Sequence, residues 1–242
     1  MVTIENGKTV LWSLMMLSVF FIACNKEGKT NKDSKFSNSN IQRADCFKKN
    51  FSTYGEMLTM QDVLKHIDLD EDIVKMNDSE DMGEYESCYY IWASDRPNIE
   101  SDVNVLFTFP DNNQIGLKNL SAYKSDYTKE EILDIFEIGY KQLDDKDIKT
   151  ISKNIEKEYL NKSKAERENA ESLIETRKNM EYEKVFDVGN SAYWRFTEDN
   201  GGDFVVLSGN ETFTINVKIS LNPEENFELA KKLALEVLSK CS

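Results

Sequence analysis

The chain has 242 residues, of which 30 are basic and 44 acidic, and its formal net charge at pH 7 is −14. Hydrophobic residues make up 40% of it and aromatic residues 11%, which favours a folded body and excludes a wholly disordered chain. The acidic balance excludes nucleic acid as a partner, because no basic stripe is present to neutralise phosphates.

The first segment with a clear physical character is the apolar run VLWSLMMLSVFFIAC, residues 10–24. Lys8 precedes it, and the run is shorter than the about 20 apolar residues that a membrane-spanning helix needs. This pattern predicts a secretory leader. The alternatives are an ordinary leader with an incidental cysteine and a short buried helix.

The end of this run resembles the lipobox of bacterial lipoproteins. The tetrad Phe21-Ile22-Ala23-Cys24 has a small residue before the cysteine, although Phe21 stands where the pattern prefers Leu. The resemblance implies that residues 1–23 are a signal peptide and that Cys24 is acylated after cleavage. Two or three acyl chains give stable attachment, whereas a single chain holds only marginally. The expected partner is therefore a bacterial membrane, reached through the lipid on Cys24.

Residues 24–43 are polar and rich in Lys, Ser and Asn, which predicts a disordered tether. The residues from 44 onward include 24 basic and 41 acidic side chains, a net charge of about −17. The tether can therefore lie near anionic head groups that repel the body. Lys26-Glu27 resembles the charged signals that send some lipoproteins to the outer surface. We expect the outer membrane, with plain linker solvation as the alternative reading of these two residues.

Three cysteines follow Cys24, in a chain expected to leave the reducing cytoplasm. Oxidising surroundings favour one disulfide and one remaining thiol. We predict that Cys46 pairs with Cys88, since Cys46 precedes the first helix and Cys88 begins the first strong strand. Closing a loop of about 40 residues would contribute about 3 to 4 kcal/mol. The helical spacing around Cys241 predicts a small buried hydrophobe near a helix end.

The first half of the body has a short helix and then strands. Thr59 with Asp62 three residues later predicts a helix start, and the helix continues to about Ile67. Residues 89–93 are dense in aromatic and β-branched side chains, and residues 103–109 alternate with a period of two. Both segments are therefore predicted as strands, the second ending at Pro110 and the polar residues after it.

An acidic run between these elements, Asp68 to Asp72, has the alternation of a calcium loop's first half. Ile73 stands where such a loop needs Gly, and Ser79 where it needs a bidentate Glu. We therefore expect a solvated loop here, and we predict no metal site or cofactor for the chain.

The middle of the chain is predicted to be helical. A capping box begins at Thr128, and apolar residues follow at helical spacing to about Leu143. A second periodic set, from Ile148 to Tyr159, continues into a heavily charged tail at residues 161–183. We predict a long, exposed, charged helical insertion over about 145–184, with ion pairs four residues apart. A coiled-coil partner is the minor alternative, since no sustained heptad seam is present.

The last third has the clearest pattern. Residues 192–197, 203–208 and 211–219 are predicted as three strands of an antiparallel meander, since turn-forming residues join them. In the last strand, Phe213 and its apolar partners point to one face, whereas the other face is polar. The polar residues there are Thr212, Thr214, Asn216 and Lys218. A helix with a broad apolar face follows from Asn222-Pro223, and it must pack on the sheet.

Three segments in this region resemble bacterial lipoproteins with a PsbP-like α-β-α sandwich domain. They are residues 187–194 (DVGNSAYW), 206–210 (VLSGN) and 227–234 (FELAKKLA). The family pattern is Gly-x-x-Ala-aromatic-Trp before a strand, then a hairpin and a closing helix. The first half fits through Cys46, Leu58-Thr59 and Cys88, so the resemblance covers about residues 44–242. The charged stretch 161–183 departs from the compact versions.

The resemblance implies an α+β fold, a single domain over 44–242 with helices on both faces of an antiparallel sheet. It also implies an accessory or binding role without enzymatic activity, and it supplies no catalytic residue. The residues agree: His66 is the sole histidine, so a Ser-His triad or a histidine-containing metal site must use it. We expect it to be an exposed bystander. Gly201-Gly202 and Gly209 read as hairpin glycines and not as a phosphate loop.

We therefore predict a non-catalytic envelope lipoprotein that binds a protein partner or a small ligand. One alternative is a carboxylate-dependent hydrolase, which would need a deep cleft holding two carboxylates with raised pKa values. The other is a structural surface lipoprotein. A small-ligand function would require a concave pocket on the open sheet face or beside Trp194.

Overall fold

The computed structural model describes residues 46–78, 86–100, 108–158 and 176–241, with positions 163, 164, 166, 168 and 172 between the last two ranges. The predicted signal peptide, Cys24 and the tether lie outside the described residues. The described residues belong to two compact units. Unit 1 contains those of 130–182, and unit 2 contains those of 36–129 and 183–242.

The helices and strands follow one another in an α+β order. Three short helices come first, α1 (Cys46–Asn50), α2 (Tyr54–Met57) and α3 (Met60–Leu64), then a 3-10 turn (Glu71–Ile73). Five strands come next: β1 (Lys75–Asp78), β2 (Ser87–Trp92), β3 (Ile99–Glu100), β4 (Thr108–Phe109) and β5 (Asn113–Ala122). After helices α4 (Lys129–Tyr140) and α5 (Asp145–Glu158) come β6 (Glu183–Val185), β7 (Ser191–Thr197), β8 (Gly201–Ser208), β9 (Glu211–Lys218) and helix α6 (Pro223–Ser239).

Unit 2 is organised on an antiparallel sheet of seven described strands, in the order β1-β2-β5-β9-β8-β7-β6. The predicted meander of β7, β8 and β9 is confirmed. Strand β5 joins it to β1 and β2, so one sheet combines both halves of the chain. A separate two-stranded ladder pairs β3 with β4. Most of the predicted strand 103–109 lies outside the described residues.

Strand β5 was not predicted, although it is the longest strand described, with ten residues. Its alternation is short, since Ile115 and Leu117 alternate with Gly116 and Lys118 but the period breaks at Asn119. Asn119 adopts a left-handed backbone with φ 58°, and the pairing with β9 shifts register between Lys118 and Ser121. Over this stretch β5 therefore has one more residue than β9. Such an extra residue is a β-bulge, which bends the strand and breaks the period of two.

The hydrophobic core of unit 2 lies on one face of the sheet, which we call the core face. Helix α6 packs on β8 and β9, and α2 packs on β2 and β5. Fully buried side chains from the sheet and from the short helices meet there, among them Phe47, Met57, Leu117, Phe204, Phe213 and Leu233. Burial of each large apolar side chain contributes about 1.5 to 3 kcal/mol, so this face provides the main stabilisation of the sheet.

Two buried polar side chains attach helices to this sheet. The Glu211 carboxylate accepts hydrogen bonds from the backbone N–H groups of Phe47 (2.9 Å) and Lys48 (3.0 Å), at the start of α1. The Asn226 amide bonds the backbone of Ile219 and Ser220, which connect β9 to α6. Both residues are 0% exposed, so their polar atoms are satisfied inside the protein, as buried groups must be.

The disulfide joins Cys46 to Cys241, and the predicted pairing of Cys46 with Cys88 is wrong. Helix α6 returns along the core face until its end reaches α1, which places the Cα atoms of Cys46 and Cys241 5.9 Å apart. Cys88 is not part of a disulfide, and it is fully buried on the core face of β2. Cys241 is thus covalently linked, and the prediction of an unpaired hydrophobe there is also wrong.

A charged cluster ties α3 to α6 beside this disulfide. Asp62, 5% exposed, accepts hydrogen bonds from Lys240 (2.6 Å), Lys65 (3.0 Å) and the Thr59 backbone (3.0 Å). The predicted capping box of Thr59 and Asp62 is confirmed. Burial alone would raise the pKa of the Asp62 carboxyl, but the hydrogen bonds from Lys240, Thr59 and Lys65 outweigh it and hold that pKa far below its usual range.

Unit 1 contains α4 and α5 and a helical turn at 176–178. Arg177 is 5% exposed and donates from Nε to the Gly139 carbonyl (2.8 Å) and from Nη2 to the Lys141 carbonyl. A guanidinium at the end of a helix satisfies carbonyl groups that have no partner within the helix. At Arg177, therefore, the charged segment is buried and not the solvated surface that was expected.

Among the described residues, no helix is both long enough and apolar enough to cross a membrane.

We expect the double substitution Cys46→Ser/Cys241→Ser to lower the free energy of unfolding by about 3 to 5 kcal/mol, because the bond closes a long loop in the unfolded chain. Urea unfolding measures the loss. The control, Cys88→Ala, should cost about 1 kcal/mol. A peptide map that joined Cys88 to either other cysteine would contradict this pairing.

Asp62→Asn should lower stability at pH 7 by about 1 to 3 kcal/mol, since it leaves buried charged hydrogen bonds incomplete. The carboxyl pKa is depressed on folding, so its contribution is present above the ordinary pKa of about 4 and disappears as the pH falls below it. The difference between wild type and variant should therefore shrink from pH 6 to pH 2. Urea unfolding at several pH values tests this. Asp68→Asn, at an exposed position, is the control and should change stability at pH 7 by less than about 0.5 kcal/mol.

Candidate functional site

The sheet face opposite the core, which we call the second face, has a row of side chains at one level. Antiparallel pairing aligns Tyr89 with Gly116, Gly116 with Asn216, Asn216 with Asp203, and Asp203 with Arg195. These residues belong to β2, β5, β9, β8 and β7. Neighbouring strands lie about 4.8 Å apart, so the row is about 19 Å long at the backbone.

Two glycines allow close packing at this face. A Cβ atom on Gly116 would lie 2.3 Å from Cδ1 of Tyr89, so the tyrosine ring occupies the space above the glycine. Gly201 begins β8 with φ 70°, and a Cβ there would lie 2.5 Å from the Val217 carbonyl oxygen. Both positions therefore exclude a side chain. The Tyr89 ring packs on Gly116, and Gly201 itself lines the pocket described next.

A pocket of about 310 Å³ lies over this row, entirely within unit 2. Its lining is polar apart from the ring of one tyrosine. The lining residues are Tyr89, Gln114, Lys118, Arg195, Thr197, Asn200, Gly201, Asp203 and Asn216. Small-molecule sites have volumes of about 300 to 1,000 Å³, so this pocket has the size of a site for a small ligand.

Hydrogen bonds across three strands hold the floor of the pocket in place. Gln114 Nε2 donates to Asn216 Oδ1 over 2.8 Å, and Asn216 Nδ2 donates to Asp203 Oδ1 over 2.8 Å. Lys118 Nζ is 2.8 Å from the same Asp203 oxygen. Asn216, 2% exposed, also bonds the carbonyls of Asn200 and Gly202. A connected and satisfied network of this kind makes side chains rigid.

A second set of charges fixes the loops at one end of the pocket. Lys218, 5% exposed, contacts Asp111 Oδ1 over 2.6 Å and donates to the Asp199 carbonyl. Arg96 binds the other Asp111 oxygen over 2.8 Å. Burial alone would raise the pKa of Asp111, but the hydrogen bonds from Arg96 and Lys218 outweigh it, so this pKa is lowered. The carboxylate is therefore charged at neutral pH, and it joins its own loop to that of Arg96 and to the end of β9.

Tyr89 contributes a hydroxyl group and a ring to the wall of the pocket. Burial raises the pKa of its phenol above the ordinary value, although the nearby Lys118 charge opposes the change. The hydroxyl therefore stays protonated at neutral pH and can donate a hydrogen bond. The Tyr89 hydroxyl, the Thr197 hydroxyl and the side-chain amides of the lining thus give the pocket neutral hydrogen-bond donors and acceptors beside its charged groups.

Three residues singled out from the sequence, His66, Trp194 and Asp70, lie elsewhere. His66 is on the core side, where its Nε2 atom is 3.1 Å from Oε1 of Glu236. Its side chain is 21% exposed, so it is partly buried rather than an exposed bystander. Trp194 packs on the core face against Phe204 and Phe227. Asp70 caps the 3-10 turn. Among the described residues, no group of three or more His, Cys, Asp or Glu side chains is placed to hold a metal ion.

Most of the pocket residues were missed in the sequence. The polar face of β9 was recognised, and Asn216 lies on it as predicted. Tyr89 was assigned to a strand without a role, and Gln114, Gly116 and Lys118 belong to the strand that was not predicted. The available signal in the sequence was the alternation of Gly116 and Lys118 with the apolar Ile115 and Leu117. A glycine inside a strand often marks a point where another group approaches the backbone closely.

The chain matches no protein-family model, no curated protein and no solved structure. The resemblance to PsbP-like lipoproteins therefore stays a prediction. What the chain binds must be inferred from the pocket itself.

We expect Gly116→Ala to destabilise the protein by about 1 to 3 kcal/mol, because the added methyl group would overlap the Tyr89 ring. Loss of Tyr89 from its position should also change the near-ultraviolet circular dichroism. Gly139→Ala is a matched control, since nothing lies within 4 Å of its added Cβ atom in helix α4. It should be neutral or stabilise by up to about 1 kcal/mol. Equal destabilisation by both substitutions would contradict the close packing of Tyr89 on Gly116.

Proposed function

We propose that the chain is a non-catalytic binding module of the bacterial envelope, attached through lipid on Cys24, and that it binds a small polar ligand in the second-face pocket. The pocket of about 310 Å³ is the observation that supports this proposal most directly. It is lined by residues from five strands and one hairpin, most of them with polar side chains. A protein partner is the less favoured version, since this pocket is too small to accept more than one side chain of a partner.

The preorganised lining supports a binding role. Gln114, Asn216 and Asp203 are connected across strands by hydrogen bonds of 2.8 Å. Side chains held in this way lose little conformational entropy when a ligand arrives. A flexible surface with the same composition would bind more weakly, because ordering its side chains would oppose association.

The hydrolase alternative is less well supported by the pocket. That reading requires two carboxylates with raised pKa values in one cleft, and the described lining has one carboxylate, Asp203, which is paired with Lys118. Among the described carboxyl groups, the pKa of Asp134 is raised by partial burial and by Glu137 and Glu130. Asp134 is on α4 in unit 1 and does not line this pocket.

The body is further proposed to be a PsbP-like α-β-α sandwich with a charged helical insertion at about 145–184. The antiparallel sheet and the closing helix α6 on its core face are compatible with that architecture. The anchor is proposed from the lipobox resemblance at residues 21–24 alone. The other alternative is a structural role at the cell surface, which would leave the polar pocket without a function.

The small-ligand proposal predicts that the purified protein binds at least one member of a panel of hydrophilic metabolites of up to two sugar rings. At a concentration of about 100 Kd a ligand stabilises by about 2.7 kcal/mol, which corresponds to a rise in Tm of about 5 to 10 °C. Lys118→Gln/Arg195→Gln should abolish the rise, and mass spectrometry should recover the ligand unchanged. A panel without a single pocket-dependent shift, or a ligand that is converted, would count against the proposal.

The anchor is tested separately. Wild type expressed with its leader should fractionate with membranes and have the mass of an acylated chain, because two or three acyl chains bind a bilayer stably. Cys24→Ser should lose both properties. Cys88→Ser, which leaves Cys24 intact, should keep both, and a Cys24→Ser protein that retained acyl mass would contradict the anchor.

A further inference from the structure

The charged side chains of the pocket already interact within the protein. Nζ of Lys118 lies 2.8 Å from Oδ1 of Asp203, and the same oxygen accepts a hydrogen bond from Nδ2 of Asn216 over 2.8 Å. Lys118 also hydrogen-bonds the Tyr89 hydroxyl. Arg195, the cross-strand neighbour of Asp203, likewise has interactions within the protein. An ionic ligand would have to compete with these contacts, and a buried group that lost its partner would be destabilised.

The charge of the body also disfavours an ionic ligand. The residues from 44 onward include 24 basic and 41 acidic side chains, a net charge of about −17, which repels anions from the surface. A cation would find one carboxylate in the described lining, Asp203, and that carboxylate is already bonded to Lys118 and Asn216. The pocket therefore favours a ligand without net charge.

The neutral part of the lining offers hydrogen bonds in both directions. Gln114, Thr197 and Asn200 line the pocket with polar, uncharged side chains. A side-chain amide has two N–H donors and an oxygen acceptor, so the bond from Gln114 Nε2 to Asn216 does not exhaust that side chain. Thr197 is half-buried and Asn200 is exposed. Hydroxyl groups are the natural complement of this lining, since each of them both donates and accepts.

Tyr89 adds one apolar surface to the polar lining. Its ring lies over Gly116, where an added Cβ atom would be 2.3 Å from Cδ1 of the ring, and it is the one aromatic ring of the described lining. A sugar ring has C–H groups on its faces and hydroxyls around its edge. It can therefore cover an aromatic ring and hydrogen-bond the polar groups beside that ring. A largely apolar ligand would leave many of those polar groups without partners, which is costly.

The hairpin between β7 and β8 is fixed in place before a ligand arrives. Asn216, 2% exposed, donates from Nδ2 to the carbonyls of Asn200 and Gly202, each over 3.2 Å. Gly201, between them, has φ 70° and no room for a Cβ atom. The backbone of Asn200 is therefore held beside the floor of the pocket, and little conformational entropy is lost there on binding.

The volume limits the size of the ligand. At about 310 Å³ the pocket lies at the lower end of the range for small-molecule sites. That space fits one six-membered sugar ring with its substituents and a few water molecules. A longer chain of sugars would have to extend out of the pocket.

From these features we infer that the second-face pocket binds an uncharged sugar of about one pyranose ring, with its hydroxyls on Gln114, Thr197 and Asn200 and its C–H face on the Tyr89 ring. This inference rests on the small-ligand function proposed above and names its ligand class.

The test uses three matched sets of probes. Glucose, galactose and mannose are each compared with the corresponding uronate and amino sugar, which have a negative or a positive charge on the same ring. Isothermal titration calorimetry with the full chain should show binding of at least one neutral hexose. Its two charged counterparts should bind at least about 10-fold more weakly, since each would disturb polar groups that are already paired. Affinity for the neutral hexose should change less than about 2-fold between about 50 and 500 mM salt, because salt screens interactions between charges.

The methyl glycosides of the bound hexose distinguish two sources of the same chemistry. If one methyl glycoside binds as tightly as the hexose, the pocket accepts the end of a glycan, because the glycosidic oxygen can leave the pocket. If both anomers fail to bind, the pocket encloses the anomeric hydroxyl and accepts the free sugar. Either result supports an uncharged sugar as the ligand.

Variants of the neutral lining locate the bound sugar. Thr197→Val keeps the shape of the side chain without its hydroxyl and should weaken binding by about 3- to 10-fold, as expected for one lost hydrogen bond. Tyr89→Leu, which removes the ring, should weaken it by at least about 10-fold, whereas Tyr89→Phe keeps the ring and should weaken it by at most about 5-fold. Thr108→Val, at an exposed position on β4 outside the lining, is the matched control and should change affinity less than about 2-fold. Circular dichroism verifies that each variant is folded.

The outcomes separate this inference from the broader proposal. A uronate or an amino sugar that binds more tightly than its neutral hexose would overturn the uncharged ligand and leave a small-ligand function standing. Binding of a neutral hexose that Thr197→Val and Tyr89→Leu leave unchanged would place the sugar elsewhere on the protein and would also overturn the inference. If none of the probes binds, the inference fails, and the metabolite panel then decides whether the pocket has any ligand.

Discussion

The register of strand β5 between β2 and β9 is the constraint on which the pocket depends. Ile115 and Leu117 are fully buried in the core, opposite Val217 and Ile215 of β9. A shift of one residue would move these side chains to the second face and turn Gly116 and Lys118 into the core. The free energy of apolar burial on the core face therefore determines which polar side chains meet on the other face. The pocket on the second face therefore results from side-chain packing on the core face.

Several specific contacts also hold the short helices α1 and α3 against the rest of unit 2. The Cys46–Cys241 bond joins α1 to the end of α6, and Glu211 binds the first N–H groups of α1. Asp62 adds an ion-paired contact between α3 and the end of α6. The disulfide, the buried hydrogen bonds of Glu211 and the ion pair of Asp62 thus hold the short helices in place. Each of these helices is too short to be stable alone. A rigid core face in turn keeps the sheet and its second face in one geometry.

Sequence patterns correctly predicted the elements that depend on neighbouring residues in the chain. The capping box at Thr59, the meander of β7 to β9 and the helix after Asn222 are all present. The prediction failed where distant segments decide the outcome. Strand β5 has only a short alternation, and it is stabilised by β2 and β9 on either side. Cys46 was paired with the nearer cysteine in sequence, although α6 brings Cys241 beside it.

The sequence by itself determined the acidic charge, the presence of an apolar run that ends at Cys24, the polar face of β9 and the α+β character of the body. These are properties of composition and of spacing within one segment. Only the tertiary structure decided that Tyr89, Gly116, Asn216, Asp203 and Arg195 share one row, and that Cys88 is the cysteine left out of the disulfide. Strand pairing relates residues that are up to about a hundred positions apart, and no periodicity within a single segment encodes which strands become neighbours.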